Sequence, residues 1–296
     1  MRIIFALYLL SLCFSSFGQE KLVNIDGNNY NVFLKGFENR KENTPAIILE
    51  SGLGSSLGNW DKILDQVSAF APVFTYDRAG IGKSDKTYKM PTTKLVSETL
   101  HSILKTLKIA PPYILVGHSL GGVYIRSFSG FYPTEISALV FIDPADFTET
   151  KNDWNAIFRT MGVPEKKIDE MLFNRLYKPA KVDSLNFGPW SEGQVLAELR
   201  RTDFAEISAL PLPNVPICFF VGGKFEVPID RRSKDFDQES FFHIKNSSNM
   251  ERWKKLIYSS KKGGALIYLT NSGHYIHRDD AKSVISNIKI LTEGLK

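Results

Sequence analysis

Six short and almost entirely apolar runs are spaced along the chain and separated by amphipathic stretches. The runs are residues 46–51, 73–77, 113–118, 138–143, 217–222 and 265–270. Runs of this length, rich in β-branched and aromatic residues, are typical of strands buried on both faces of a parallel sheet. The stretches between them, such as residues 94–108 and 281–295, have the apolar spacing of helices that cover a sheet. The alternation predicts an α/β fold with a mostly parallel central sheet and helices on both faces.

Two segments depart from this alternation. Near the N-terminus, residues 21–26 and 29–36 are separated by a glycine- and asparagine-rich turn and predict a β-hairpin. Residues 146–211 contain no strand-like run, and their apolar side chains have helix-like spacings among charged residues. Because both ends of this segment emerge from the carboxyl edge of the sheet, we expect a helical insertion that lies over that edge as a cap or lid. The predicted core domain is formed by residues 19–145 and 212–296.

The N-terminal segment has the pattern of an export signal. Arg2 precedes an uninterrupted apolar run that is too short to span a bilayer comfortably and ends in small residues. A hydrophilic segment follows at once, and the bond between Gly18 and Gln19 is a suitable cleavage point. The sequence predicts a signal peptide at residues 1–18 and a mature protein that is periplasmic or secreted, without stable insertion in a membrane.

The composition argues against a nucleic-acid partner and against a metal site built from cysteines. Lys and Arg number 37 against 32 Asp and Glu, and the net charge of +5 is scattered along the chain. A nucleic-acid partner requires a concentrated basic face, so none is expected. After signal removal Cys218 is the one remaining cysteine, which excludes an internal disulfide and a cysteine-based metal site. Cys218 lies in an apolar run and is expected to be a buried core residue.

The sequence GHSLG at residues 117–121 follows a predicted buried strand and precedes a helical pattern. At a sharp turn of this kind the hydroxyl of Ser119 projects at the carboxyl end of the sheet, which is where parallel sheets bind ligands. Gly117 and Gly121 are expected there because a side chain at either position would collide with the neighbouring strand or helix. A glycine-rich turn with an incidental serine is the simpler alternative, but the strand-turn-helix context favours a nucleophile.

A serine hydroxyl needs an adjacent base before it can act as a nucleophile. His274 is the preferred candidate because it follows the last predicted strand directly, in a loop at the same edge of the sheet as Ser119. His277 shares that loop and is the weaker candidate. His118 neighbours the serine but points off the same turn, and the other two histidines are expected to be surface or packing residues.

Two residues are candidates for the acid that would orient the histidine. The expected chain order is serine, acid, histidine. Glu226 follows the penultimate strand, where the loop faces the predicted site, and is the preferred candidate. Asp143 ends the strand after the serine's helix and also satisfies the order, although it could instead be a turn residue that binds backbone amides.

These motifs resemble those of serine hydrolases of the α/β-hydrolase superfamily, esterase-like and with a helical cap. The likeness runs from about Val23 to the C-terminus. The segments that carry it are ESGLGSS at 50–56, YDRAGIGKSD at 76–85, LVGHSLGG at 115–122, VFIDP at 140–144 and SGHYIH at 272–277. In that family the segment from Asp77 to Ser84 is a structural turn.

The resemblance also implies an oxyanion hole formed by the backbone amides of Leu53 and Leu120. Family members usually carry histidine where this chain has Ser51. The family's acid is more often an aspartate at the position that Phe225 occupies here, and this departure leaves the assignment of Glu226 open.

The sequence therefore predicts an enzyme that cleaves a carboxylic ester or related acyl bond of a small hydrophobic substrate. Ser119 would attack the carbonyl, His274 would transfer the proton, and Glu226 would orient the imidazole. No metal or organic cofactor is implied, and the expected partner is a small-molecule substrate. Acyl transfer or carbon–carbon bond hydrolysis would use the same three residues, and a ligand-binding protein could keep the fold without turnover.

Overall fold

A computed structural model describes residues 18–38 and 40–295 of the chain. The predicted signal peptide, residues 1–18, lies outside the described residues except for Gly18. Within the described ranges, no helix has both the length and the hydropathy needed to cross a membrane.

The described residues form one eight-stranded sheet. Its strands are β1 (Gln19–Ile25), β2 (Asn28–Lys35), β3 (Ala46–Glu50), β4 (Val73–Tyr76), β5 (Tyr113–His118), β6 (Ile136–Ile142), β7 (Ile217–Gly222) and β8 (Gly264–Leu269). Their order across the sheet is β1-β2-β4-β3-β5-β6-β7-β8. Strands β3 to β8 run parallel, whereas β1 and β2 form an antiparallel hairpin that joins the sheet at β4. The six apolar runs and the hairpin are therefore confirmed as strands.

Ten α-helices connect and cover the strands in the described part of the chain. They are α1 (Leu64–Ser68), α2 (Thr93–Thr106), α3 (Leu120–Phe131), α4 (Lys151–Thr160), α5 (Glu165–Leu176), α6 (Phe187–Arg201), α7 (Ala205–Ala209), α8 (Gln238–Ser259), α9 (Ile276–Asp279) and α10 (Ala281–Gly294). The two amphipathic stretches singled out in the sequence correspond to α2 and α10.

Side chains of the parallel strands alternate between two apolar layers. Leu115 of β5 and Phe219 of β7 belong to a cluster that includes residues of α2, α3 and α8. Val116 and Phe220, the next residues along the same strands, belong to a second cluster with residues of α1 and α10. Because both faces of these strands are covered, almost every position is apolar, which explains the continuous runs in the sequence. Cys218 is buried in β7, as predicted.

Residues 146–211 contain helices α4 to α7 and no strand. On one side, Phe158 of α4 stacks on Phe241 of α8 with ring centroids 4.6 Å apart. On another side, the carboxylate of Glu192 in α6 accepts a hydrogen bond of 2.7 Å from the backbone amide of Gly54, in the loop after β3. The insertion is thus attached both to α8 and to the loop that follows the first parallel strand.

We expect Phe219→Ala to lower the free energy of unfolding by about 3–5 kcal/mol, because the cavity left by a core aromatic side chain does not fully collapse. Phe219 is fully buried between Phe141 and Trp253, with ring centroids 4.6 Å and 4.9 Å away. Phe173→Ala on α5 is the control, since 53% of that side chain is exposed. Urea titration monitored by far-UV circular dichroism measures both, and equal effects of the two substitutions would contradict this account of the core.

Candidate active site

Ser119 occupies the sharp turn between β5 and α3, with φ 53° and ψ −120°. The two flanking glycines are required by close backbone contacts. A Cβ on Gly117 would lie 2.5 Å from the carbonyl oxygen of Gly121, and a Cβ on Gly121 would lie 2.1 Å from that of Glu50. The sequence-based explanation of both glycines is therefore confirmed.

Three backbone hydrogen bonds hold the turn in this conformation. The Ser119 amide donates to the Ile142 carbonyl at 3.1 Å, and the Ser119 carbonyl accepts from the amides of Gly122 and Ala145 at 3.0 Å each. A positive φ in a residue other than glycine is strained and persists only where the surroundings over-determine it. Such strain is concentrated at functional sites, and the Ser119 side chain is partly exposed, in keeping with a reactive position.

The imidazole of His274 is oriented by Asp143. The distance between His274 Nδ1 and Asp143 Oδ2 is 2.6 Å. Asp143 itself has φ 41°, and its backbone amide donates to the Phe220 carbonyl at 2.8 Å while its Oδ1 accepts from the Gly222 amide at 3.1 Å. The carboxylate is therefore fixed at the end of β6 by the neighbouring strand β7. With Nδ1 donating to Asp143, Nε2 of His274 is left as the proton acceptor.

Glu226, the preferred acid in the sequence analysis, does not contact the imidazole. Its Oε1 is 2.8 Å from Lys224 Nζ, and 48% of its side chain is exposed. The carboxylate lies against Gly273, where an added Cβ would be 2.0 Å from Oε2, so it is beside the histidine loop but directed to Lys224. Asp143, and not Glu226, therefore contacts His274. The difference arises from the path of the chain after β7, which the spacing of residues in the sequence does not reveal. The signal for Asp143 was its place directly at the end of a buried strand.

Two further histidines are buried next to His274. His118 Nε2 donates to the backbone carbonyl of His274 at 3.0 Å, and the two rings have centroids 4.7 Å apart. His277 Nε2 donates to the Asn59 carbonyl at 3.0 Å. Burial, followed by the charges of nearby histidines, lowers the pKa of His118 well below its usual value, and burial lowers that of His277 to about 3. Both rings are therefore neutral and bound to backbone, whereas 46% of the His274 side chain is exposed.

The loop after β3 lies against the turn that carries Ser119. A Cβ on Gly52 would be 3.3 Å from the Ser119 Cβ and 3.0 Å from His118 Nδ1. In the described part of the chain, neither the Leu53 amide nor the Leu120 amide has a hydrogen-bond acceptor. The Leu120 amide directly follows Ser119, and the Leu53 amide directly follows Gly52, which packs against the Ser119 side chain. Ser51, in the position usual for histidine in the family, is buried and accepts a hydrogen bond of 3.0 Å from Trp60 Nε1.

A buried ion cluster that was not predicted from the sequence is formed behind this loop by Glu50, Arg78 and Glu192. Arg78 Nη1 is 2.6 Å from Glu50 Oε1, and Arg78 Nε is 2.6 Å from Glu192 Oε1. None of the three side chains is more than 3% exposed. The sequence signal was an ionisable residue at the end of β3 and another two residues after the end of β4. The adjacent Asp77 accepts from backbone amides, in keeping with the structural turn that the resemblance implied.

An open cleft of about 390 Å³ adjoins His274 and Asp143. Its walls are mainly apolar and come from the loop after β7 and the first turns of α8, including Phe225, Val227 and Phe242. The helical insertion, which we expected to lie over this edge of the sheet, contributes no residue to the lining of the cleft. Within residues 18–38 and 40–295, no group of three His, Cys, Asp or Glu side chains could hold a metal ion.

Sequence comparison matches part of this chain to a known family and to characterised enzymes. Residues 45–189 match a family model described as the alpha/beta hydrolase fold. The chain is 34% identical over 169 residues to a (lyso)-N-acylphosphatidylethanolamine lipase of Mus musculus, covering 56% of this chain and 47% of the lipase. It is 29% identical over 131 residues to a 1-acylglycerol-3-phosphate O-acyltransferase of Rattus norvegicus, covering 43% and 37% of the two chains. The chain thus spans about half or less of the length of these curated relatives.

Solved structures resemble the chain over almost its whole length. An epoxide hydrolase, CorEH, superimposes with a TM-score of 0.62 at 16% identity, covering 95% of this chain and all of that one. A carboxylesterase from Bacillus subtilis superimposes with a TM-score of 0.55 at 15% identity, covering 94% and 92%. At these identities the likeness concerns the fold alone. The sheet order, the serine turn between β5 and α3 and the family match over residues 45–189 agree, and the chain has the α/β-hydrolase fold.

Proposed function

We propose that the protein is a serine hydrolase that cleaves a carboxylic ester, or a related acyl bond, of a small hydrophobic substrate. The observation that carries the proposal is the 2.6 Å contact between His274 Nδ1 and Asp143 Oδ2 at the sheet edge where Ser119 is held in a strained turn. A serine, a histidine with a free Nε2 and a carboxylate that orients it are the parts of a nucleophilic triad.

In the proposed mechanism Ser119 Oγ attacks the substrate carbonyl carbon and transfers its proton to His274 Nε2. The amides of Leu53 and Leu120 donate hydrogen bonds to the oxyanion of the tetrahedral intermediate. The intermediate collapses, the bond to the leaving alcohol breaks, and the imidazolium returns the proton to that alcohol. Water then attacks the acyl-enzyme by the same route, releasing the acid and regenerating Ser119. The Asp143 carboxylate accepts the hydrogen bond from Nδ1 and stabilises the imidazolium.

The hydrophobic character of the substrate is supported by the cleft beside His274. Phe225 and Phe242 pack against each other in its wall with ring centroids 5.5 Å apart, and Lys224 and Glu226 form an ion pair at its polar side. Most of the exposed surface of the cleft is apolar, which suits an aliphatic or aromatic portion of an ester. In this role Glu226 borders the substrate cleft, and Asp143 is the triad acid.

Ser119→Ala is expected to lower kcat/KM for p-nitrophenyl butyrate by about 10⁴-fold or more, because no other group can form the acyl-enzyme. It should also abolish covalent labelling by a fluorophosphonate probe. Ser129→Ala is the matched control, since Ser129 is a buried serine of α3 that donates to the Arg126 carbonyl. Activity of Ser119→Ala near that of the control would rule out the proposed nucleophile.

Asp143→Asn is expected to lower kcat by about 10⁴-fold, because an amide can neither hold His274 in the required tautomer nor stabilise its cation. Glu226→Gln removes the same charge from a side chain that contacts Lys224 and should have a small effect. The two variants are compared by their steady-state kcat on one ester. If the Glu226 variant loses more activity than the Asp143 variant, the acid has been misassigned.

The rate is expected to rise along the acetyl, butyryl, hexanoyl and octanoyl esters of p-nitrophenol until the cleft is full, because each buried methylene contributes up to about 0.8 kcal/mol. Phe242→Ala should flatten this series, whereas Phe173→Ala, at an exposed position of α5, should leave its slope unchanged. The quantity compared is kcat/KM across the series. A flat wild-type series would exclude this cleft as the binding site for the acyl chain.

A further inference from the structure

Arg78 uses every donor of its guanidinium in the protein interior. Arginine has five N–H donors, and five hydrogen bonds of 2.6–3.0 Å account for them. The acceptors are Glu50 Oε1, Glu192 Oε1, Glu192 Oε2 and the backbone carbonyls of Ser51 and Gly52. Two of these acceptors therefore belong to the loop that carries the proposed oxyanion amide of Leu53.

The contact to Gly52 determines where the Leu53 amide points. The Gly52 carbonyl and the Leu53 N–H belong to one peptide group, which is trans and planar, so the two bonds point in opposite directions. Arg78 Nη2 holds the carbonyl oxygen at 2.7 Å. The N–H is thereby directed away from Arg78, and Gly52 packs against the Cβ of Ser119. A cation on the carbonyl also polarises the peptide group and strengthens its N–H as a donor.

The peptide on the other side of Leu53 is held by the same cluster. Glu192 Oε2 accepts from the Gly54 amide at 2.7 Å and from Arg78 Nη2 at 3.0 Å. Glu50 Oε2 in turn accepts from the Tyr76 hydroxyl at 2.9 Å. Because Glu192 is part of α6, the helical insertion contributes directly to the conformation of this loop.

The charges of the cluster are consistent with a permanent cation at Arg78. Burial alone lowers the pKa of the guanidinium, but the neighbouring charges of Glu192 and Glu50 outweigh it and raise the pKa well above its usual value. A buried ion cluster contributes little net stability compared with apolar packing of similar volume. Stability alone is therefore a weak explanation for contacts that converge on two carbonyls and one amide of a single loop.

We propose that Arg78 and Glu192 are positioning residues that orient the Leu53 amide toward the oxyanion formed at Ser119, and that this orientation depends on the docking of α6. The inference rests on the proposed serine-hydrolase function and adds a role for residues that touch neither the substrate nor the triad.

The test uses the whole protein and two substitutions that preserve size. Glu192→Gln leaves one acceptor oxygen where two are needed, so the contact to Arg78 Nε or the contact to the Gly54 amide is lost. Arg78→Lys keeps the charge but cannot bind two carbonyls and two carboxylates at once. Glu198→Gln is the matched control, because it makes the same change on the same helix at an exposed residue that pairs with Arg201.

We expect Glu192→Gln to lower kcat for p-nitrophenyl butyrate by about 10- to 100-fold with little change in KM, less than the loss reported for deleting an oxyanion donor outright. Arg78→Lys should lower kcat at least as much. The inhibition constant of a butylboronic acid, which forms a tetrahedral adduct with a catalytic serine, should rise by the same factor as kcat/KM falls. The Glu198 variant should match the wild type, and kcat is calculated per active site counted by complete fluorophosphonate labelling.

A reduced labelled fraction with wild-type kcat per labelled site would show that the cluster only supports folding, and the positioning role would be overturned. The same conclusion follows if kcat falls while boronic acid affinity is unchanged. Failure of the proposed function has a different signature: the wild type would not be labelled at Ser119, or Ser119→Ala would keep its hydrolytic activity, and the inference would fall with it.

Discussion

The close approach of α3 to the ends of β3 and β5 is the constraint on which the site depends. Gly121 lies so near to the Glu50 carbonyl that any side chain there would push the helix away from the strand. This approach closes the turn on which Ser119 takes its positive φ. It also brings Gly52, in the loop after β3, against the serine. A single set of backbone contacts thus places the proposed nucleophile and the proposed oxyanion loop next to each other.

The buried ion cluster behind the site orients the loop after β3 and adds little to the free energy of unfolding. Removing Arg78 and its two glutamates from water is unfavourable, and their mutual attraction offsets that desolvation without a large surplus. What an apolar replacement could not supply is the set of hydrogen bonds to the Ser51 and Gly52 carbonyls. The cluster thereby links strand β3, the loop after β4 and helix α6 to one loop conformation.

The three histidines near the site differ in burial and in hydrogen-bond partners, and these differences set their roles. His118 and His277 are almost completely buried, and each donates one ring N–H to a backbone carbonyl. Their lowered pKa values keep them neutral, so they add no positive charge beside His274 when its imidazole takes up a proton. His274 is the partly exposed one and has a carboxylate at Nδ1. Burial and hydrogen bonding, rather than residue type, therefore separate a proposed base from two packing residues.

The sequence by itself determined the strands, the serine turn and the histidine loop, because these depend on local patterns: apolar runs, close glycines and a residue directly after a strand. It did not decide between Asp143 and Glu226, since both follow strands at the same edge and only the path of the chain after β7 turns Glu226 toward Lys224. Nor did it reveal the ion cluster, whose members are 28 and 114 residues apart from Arg78. Contacts over such separations are set by how the layers pack, and packing of side chains from distant segments has no periodic signature in a single sequence.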